Sequence, residues 1–525
     1  MCNLNLTLAK WTLAFIPILA VMLLMLVFKW SGTKAGFFAL GLTILISLSF
    51  FGTDLELVFM SILKSILVSM DILLIIWPAL LLYQIANAAG ALVKITEGIV
   101  SLTQEKVLQT LLVGWLLTSF LQGMAGYGVP VAICAPILVS LGYSPIMAVV
   151  MASIGSSWSV NYGSLGSGFQ SLLTVTGIAS SDLTLYVGIM IGVASILCGL
   201  MVAYLTNGKQ SLKESWLFVV ITGLVVASIH FIVSVYGPWN LTIILSIIGG
   251  LIASYFYFRI KRKILVSGTK ELLARQEQPK DFWPYAFAYV VLIVLSLIVL
   301  LLPSNLPFFK LTSLKFSFPE MTTSQGWLTA TETTRSMRVF NHPGMVLLVS
   351  SLLAFWFYCR KGFLKVNSIK PLLGKMYKSA ANSSLAILAM VAMATIMTQS
   401  GMTYMLSAGI TKSISSSIYP FVSPFIGGLG AILTGSNNNS NVLFGMMQKD
   451  TATLMGLSAG IILAAQTVGG SLGSVISPAK IIVGCSSVGI SKREGEVIKK
   501  GLIYILILIA VTGLIALALT RFSIH

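Results

Sequence analysis

Long apolar runs separated by short basic or mixed loops set the pattern of this chain. About twenty apolar residues cross a hydrocarbon core as a helix. Runs of that kind lie near 11–28, 36–51, 71–86, 183–204, 216–235, 241–258, 284–302, 345–358, 383–397 and 502–519. The runs are continuous rather than alternating, which excludes a membrane β-barrel. The pattern predicts an all-α polytopic membrane protein with about 12–14 membrane segments. Asp71 opens the third run and reads as an interfacial N-terminal charge rather than a proton relay.

Two stretches break the apolar pattern with glycine, hydroxyl and amide groups. The first is 121–130, within a region (Val107 to Ser181) that holds no Asp, Glu, Lys, Arg or His. The second is 433–441, with Asn437, Asn438 and Asn439 in a row. Hydrocarbon cannot satisfy freed backbone or amide groups, so such segments persist only buried in protein or lining a wet cavity. The two stretches are expected to form one substrate site. Hydropathy alone does not separate re-entrant hairpins from full spans there.

Composition agrees with the membrane reading. The 525 residues are 57% hydrophobic and only 9% charged, whereas about a quarter of a soluble domain is charged. The formal charge of +18 sits in short loops and marks the cytoplasmic face rather than a nucleic-acid partner. The strongest such loop runs from Arg259 to Asp281, and others hold Arg360–Lys378 and Lys492–Lys500. All fall on one side when both termini are extracytoplasmic. The run at 11–28 ends in Lys29-Trp30 and reads as a retained helix, not a cleaved signal. Five scattered cysteines and three histidines give no disulfide framework and no metal pattern. No nucleophile–base pair and no His-Glu-x-x-His motif is present, so an enzyme is not expected.

The two halves resemble each other weakly. Gly142-x-Ser144 aligns with Gly456-x-Ser458, Gly155-x-Ser157 with Gly469-x-Ser471, and Gly114 with Gly428. Gly90 aligns with Gly401 after a small shift. Charge bias gives matched spans opposite directions, so the copies are expected to be inverted, a plan frequent in secondary transporters. The expected divisions are an extra helix in 1–35, a first repeat in 36–205, linking helices in 206–342 and a second repeat in 343–525.

Within this frame the chain resembles the L-lactate permease family. Pro17-Ile18-Leu19, Lys29-Trp30 and Lys34-Ala35-Gly36 fit its opening. Gly123-Met124-Ala125-Gly126-Tyr127-Gly128-Val129-Pro130 resembles its Gly-x-Ala-Gly-Phe-Gly-x-Pro motif. Thr434-Gly435-Ser436 with Ser440-Asn441-Val442, and Gly469-Gly470 with Ile476-Ser477-Pro478, resemble two further signatures. The resemblance implies bacterial inner-membrane uptake of L-lactate, D-lactate or glycolate by proton symport and alternating access. It also implies re-entrant hairpins and no cofactor beyond the coupling ion; a homodimer is compatible. The sequence departs from the family pattern at Gln122 and Asn437, where carboxylates are common, and at Lys480, where Gln is usual. An uncoupled uniporter or channel for small organic anions, and a sodium-coupled symporter, therefore stay open.

Lactate offers a carboxylate and a hydroxyl. Gly123, Gly126 and Gly128 let backbone amides approach it closely, or serve helix packing. Ser436, Asn437, Asn438, Asn439, Ser440 and Asn441 supply donors and acceptors, and three consecutive buried amides are costly unless used. Tyr127 would bond the ligand or wall the pocket. Gln122 occupies the place of a coupling acid but does not titrate. Lys480 either pairs with the substrate carboxylate or snorkels from a helix end.

Overall fold

The computed structural model describes residues 7–126, 128–266, 282–302, 313–314, 316–333, 337–338 and 342–522. Among them the chain is an all-helical membrane protein. Six two-residue strands between Ser313 and Arg338 pair as three short antiparallel ribbons. Among the described residues, ten helices are long and apolar enough to cross a bilayer. The longest, Ser181–Tyr236, breaks at Asn207 and Gly208 (φ 63°) into two arms, which are the two passes expected at 183–204 and 216–235. Shorter apolar helices add Val129–Ser140, Pro145–Ser159, Trp283–Val299 and Tyr419–Thr434. Lys270, Arg275 and Lys280 of the basic loop lie outside the described residues.

Polar caps set several starts. Thr7, Ser31 and Asp54 each accept a hydrogen bond from the backbone N–H three residues on, replacing a bond the first turn lacks. The third helix therefore begins at Leu55 and runs to Ala88. This corrects the place of Asp71, which lies midway along that helix and not at its start. Lys64 and Asp71 interrupted the hydropathy of a helix that does not end at either.

Helix Leu55–Ala88 joins the two halves of the sequence. Ser61 is hydrogen-bonded to Gln399, and the Trp77 indole donates to Ser384 Oγ at 2.9 Å, both on helix Ile369–Gln399. On another side Ser351 of Pro343–Arg360 donates to the Pro78 carbonyl. Elsewhere glycines bring backbones into contact. A Cβ on Gly155 would stand 1.7 Å from the Gly114 carbonyl oxygen, and one on Gly469 would stand 1.9 Å from that of Pro424. Without a hydrophobic force between helices in lipid, such close approach supplies the packing energy.

The order of elements after Gly90 recurs after Gly401. Gly90 and Gly401 each precede a short helix with left-handed φ. A hairpin follows in each case, Lys106–Met124 with Val129–Ser140 and Tyr419–Thr434 with Asn437–Leu454. Gly142 and Gly456 are left-handed beyond the hairpins, and Gly177 and Gly489 further on.

Gly469→Ala is expected to destabilise the protein by about 1–3 kcal/mol, the usual cost of overpacking. Gly374→Ala, whose new methyl meets nothing within 4 Å, should be neutral or mildly stabilising, because alanine favours the helix. Thermal melting of the two purified variants beside the parent checks the contrast.

Candidate functional site

The two polar breaks form the tips of two helix hairpins, and the tips meet. In the first, Lys106–Met124 turns at Ala125–Gly128 into Val129–Ser140, with Gly126 and Gly128 at φ 56° and 87°. In the second, Tyr419–Thr434 turns through Gly435 (φ 74°) and extended Ser436 into Asn437–Leu454. A cavity of about 30 Å³ lies between them. A water takes roughly 10–15 Å³ on that measure, so two or three water-sized groups fit, the scale of one carboxylate. Its walls are Gln122, Gly126, Val160, Gly163, Ser164, Ser167, Gly435, Ser436, Asn437, Asn438 and Lys480.

The cavity is electropositive by construction. Lys480 is its one charged lining residue, only 8% exposed. Its ammonium donates to Ser474 Oγ at 3.0 Å, which leaves donors free, since an ammonium has three. No carboxylate among the described residues pairs with it. The ammonium is held inside the protein and does not reach out to an interface. Two helix starts add to it. The first-turn N–H groups of Asn437–Leu454 have no intrahelical acceptor, and Pro478–Ser487 begins beside them. A methyl on Gly435 would meet Ala479 Cβ at 3.6 Å, so the two starts are adjacent. Both dipoles present partial positive charge, a setting suited to an anion.

Behind the cavity is an amide network. Thr467 donates to Asn161 Oδ1 at 2.6 Å. Asn441 Nδ2 donates to Thr467 Oγ1 at 2.8 Å and to the Gly168 carbonyl at 3.0 Å. Asn437 Nδ2 reaches both Asn161 Oδ1 and Thr467 Oγ1 at 3.4 Å. The Asn437 side chain is clasped between two glycines. A Cβ on Gly470 would stand 2.2 Å from its Oδ1, and one on Gly168 2.9 Å from its Nδ2. Asn437 Oδ1, Asn438 Nδ2 and Asn441 Oδ1 are buried without a hydrogen-bond partner.

The predicted residues divide by role. Gln122, Gly126, Ser436, Asn437, Asn438 and Lys480 line the cavity. Gly128 packs on Val483 and the Lys480 Cα, and Gly123 on Ile243. Ser440 turns away to donate to the Gly427 carbonyl at 2.7 Å. Asn441 serves the network behind, and Asn439 is buried outside the cavity wall. Tyr127 lies outside the described residues.

The model of the L-lactate permease family matches residues 11–522, nearly the whole chain. The chain belongs to the L-lactate permease family. It is 26% identical to the L-lactate permease of Bacillus subtilis (strain 168) over 561 residues, covering 96% of this chain and 97% of that one. It is 27% identical to the glycolate permease GlcA of Escherichia coli (strain K12), covering 96% and 94%. The solved YdaH transporter of Alcanivorax borkumensis is 14% identical with a TM-score of 0.47, covering 86% of this chain and 85% of that one. The family relatives are named as permeases, so this membrane protein is a transporter-family member and not an enzyme.

The cavity and the network behind it include residues that the two loops alone did not point to. Asn161 and Ser164 come from a third break, and Thr467 from helix Ala459–Ser474. Ser164 and Leu165 are left-handed at φ 47° and 57°, followed by Gly166 at 88°. Left-handed backbone costs a non-glycine residue about 1–2 kcal/mol, and such strain gathers at functional sites. The Gly163-x-x-Gly166-x-Gly168 spacing within the charge-free region was the signal available.

Thr467→Val removes the hydroxyl that Asn437 and Asn441 share. The loss should be about 1–3 kcal/mol, because two buried amides are left short of a partner. A lowered melting temperature with retained helix content in circular dichroism checks it.

Proposed function

We propose that the chain is a secondary transporter of the bacterial plasma membrane, taking up L-lactate and related small 2-hydroxymonocarboxylates such as D-lactate and glycolate by proton symport. The observation that carries this reading is the Lys480 ammonium, without a carboxylate partner among the described residues, beside two helix starts in a carboxylate-sized cavity. The names of the family relatives supply the ligand class. Burying a carboxylate costs several kcal/mol unless charge and hydrogen bonds return it. Here Lys480 meets the carboxylate, and Ser436, Asn437 and Asn438 are left for the hydroxyl.

Alternating access would follow from two inverted repeats. Their support is the recurring order of elements, with left-handed Gly90, Gly142 and Gly177 matched by Gly401, Gly456 and Gly489. The site lies where the two hairpin tips meet, as it does in transporters built on that plan. The cavity is smaller than a whole lactate, so entry requires the tips to part.

Proteoliposomes holding the protein are expected to show counterflow of labelled lactate or glycolate. No saturable exchange of any small monocarboxylate would overturn the reading. Lys480→Gln should weaken substrate binding at least tenfold in the same assay; a change within twofold would remove Lys480 from the site. Gln122→Glu places a titratable acid on the cavity wall. It should make uptake more dependent on pH, and an unchanged profile would assign Gln122 to neutral hydrogen bonding.

A further inference from the structure

Gln122 leaves the substrate cavity without an acid that could carry a proton, and the residues lining it include no Asp, Glu or His. A partly buried carboxylate, Asp71, is hydrogen-bonded to a helix that lines the cavity. Asp71 lies midway along Leu55–Ala88 with 15% of its side chain exposed. One oxygen accepts from Gln170 Nε2 and from Thr174 Oγ1 at 2.6 Å. The other faces His342 Nε2 at 3.1 Å. His342 Nδ1 accepts from the Gly344 N–H at 3.1 Å, so the imidazole is neutral and its proton sits on Nε2, facing Asp71. Every contact is therefore a donor to an ionised carboxylate.

The same network accepts a proton without moving a heavy atom. A hydroxyl has one hydrogen, and Thr174 Oγ1 has a second acceptor in the Gln170 carbonyl at 2.8 Å. When Asp71 is protonated, its O–H donates to Thr174, and Thr174 turns its own hydrogen to Gln170. The charge-assisted bonds to Gln170 and His342 then become ordinary ones, roughly half as strong. Gln170 and Thr174 belong to Gly163–Thr176, the helix whose Ser164 and Ser167 line the cavity. Asp71 and His342 belong to the neighbouring helices Leu55–Ala88 and Pro343–Arg360. Protonation thus loosens the tie between one wall of the substrate cavity and the helices against which it rests.

Among the described residues His342 is the one titratable side chain bonded to Asp71. Helix Ile369–Gln399 holds no charged or histidine side chain beyond Lys378, its Lys370, Lys375 and Lys378 lying towards its start. On Leu55–Ala88 itself the next charge is Lys64, two turns away. Lys94 and Glu97 of Ala91–Val100 pair with each other. Helix Phe282–Leu301 brings only Tyr285 and Tyr289 as titratable groups, and Tyr289 packs on Phe120. Lys449 of Asn437–Leu454 donates to the Thr176 carbonyl at 2.7 Å.

The geometry points to Asp71, positioned by His342, as the proton-binding site that couples proton entry to movement of the substrate-cavity wall through Gln170 and Thr174. This rests on the transport reading above. The test uses proteoliposomes containing the full chain and labelled lactate. Two readings are taken: counterflow without a pH gradient, and accumulation driven by one. Asp71→Asn should keep counterflow within about threefold of the parent, lose gradient-driven accumulation at least tenfold, and flatten the pH profile. Intact gradient-driven accumulation in Asp71→Asn, or loss of both activities together, overturns the coupling role. Absence of counterflow in the unaltered protein overturns the transport reading itself. Should Asp71→Asn not fold, Thr174→Val, which removes the hydroxyl that accepts the hydrogen bond of protonated Asp71, should shift the pH midpoint of accumulation with counterflow preserved. An unshifted midpoint overturns the proposal.

Discussion

Polar groups carried into a bilayer must find their partners inside the protein, and the rest of this structure depends on how that is done. Asn437, Asn441, Asn161 and Thr467 come from three separate breaks and helices, yet each amide is held by the others. The network forms only because Gly168 and Gly470 have no side chain where the Asn437 carboxamide lies. Removing that space would displace the Asn437 side chain, and with it the second hairpin tip. Close packing and polar satisfaction are here one requirement, since the amides meet only where backbones touch.

The same economy separates two kinds of charge. Lys480 is buried without a carboxylate partner among the described residues, held by one hydroxyl and close to two helix starts. Asp71 is partly buried with three donors around it. The first arrangement is incomplete without an anion, and the second is complete as it stands. A group left short of partners is suited to binding, and a group with interchangeable partners is suited to proton exchange. Segment Gly163–Thr176 touches both the cavity wall and Asp71, from the two sides of its left-handed break at Ser164–Gly166.

Much of the fold was legible in the pattern of apolar runs, because length and composition decide what crosses a bilayer. The two arms of Ser181–Tyr236 were separable by Lys209, Lys213 and Glu214 between them. Asp71 falls outside that pattern. Hydropathy treats a charge as a boundary, and it has no knowledge of Gln170, Thr174 and His342, which lie far away in sequence. The loops were found because glycine and asparagine are costly in hydrocarbon. Of their partners, Asn161 is marked only by the Gly163-x-x-Gly166-x-Gly168 spacing beside it, and Thr467, next to Gln466 in an otherwise apolar run, by no motif.

By itself the sequence determined that this is an all-helical membrane protein of the L-lactate permease family, with two polar breaks and a cation at position 480. Residue type and spacing are enough for that, because apolar length and a family's motifs are local properties. Tertiary structure alone decided which loop residues face a common cavity. Gly126, Asn437 and Lys480 do so, whereas Gly123 and Ser440 turn to Ile243 and Gly427. It also decided that Asp71 lies inside the protein and not at its edge. Both outcomes depend on hydrogen bonds and backbone contacts between residues hundreds of positions apart, and no property of a single stretch records them.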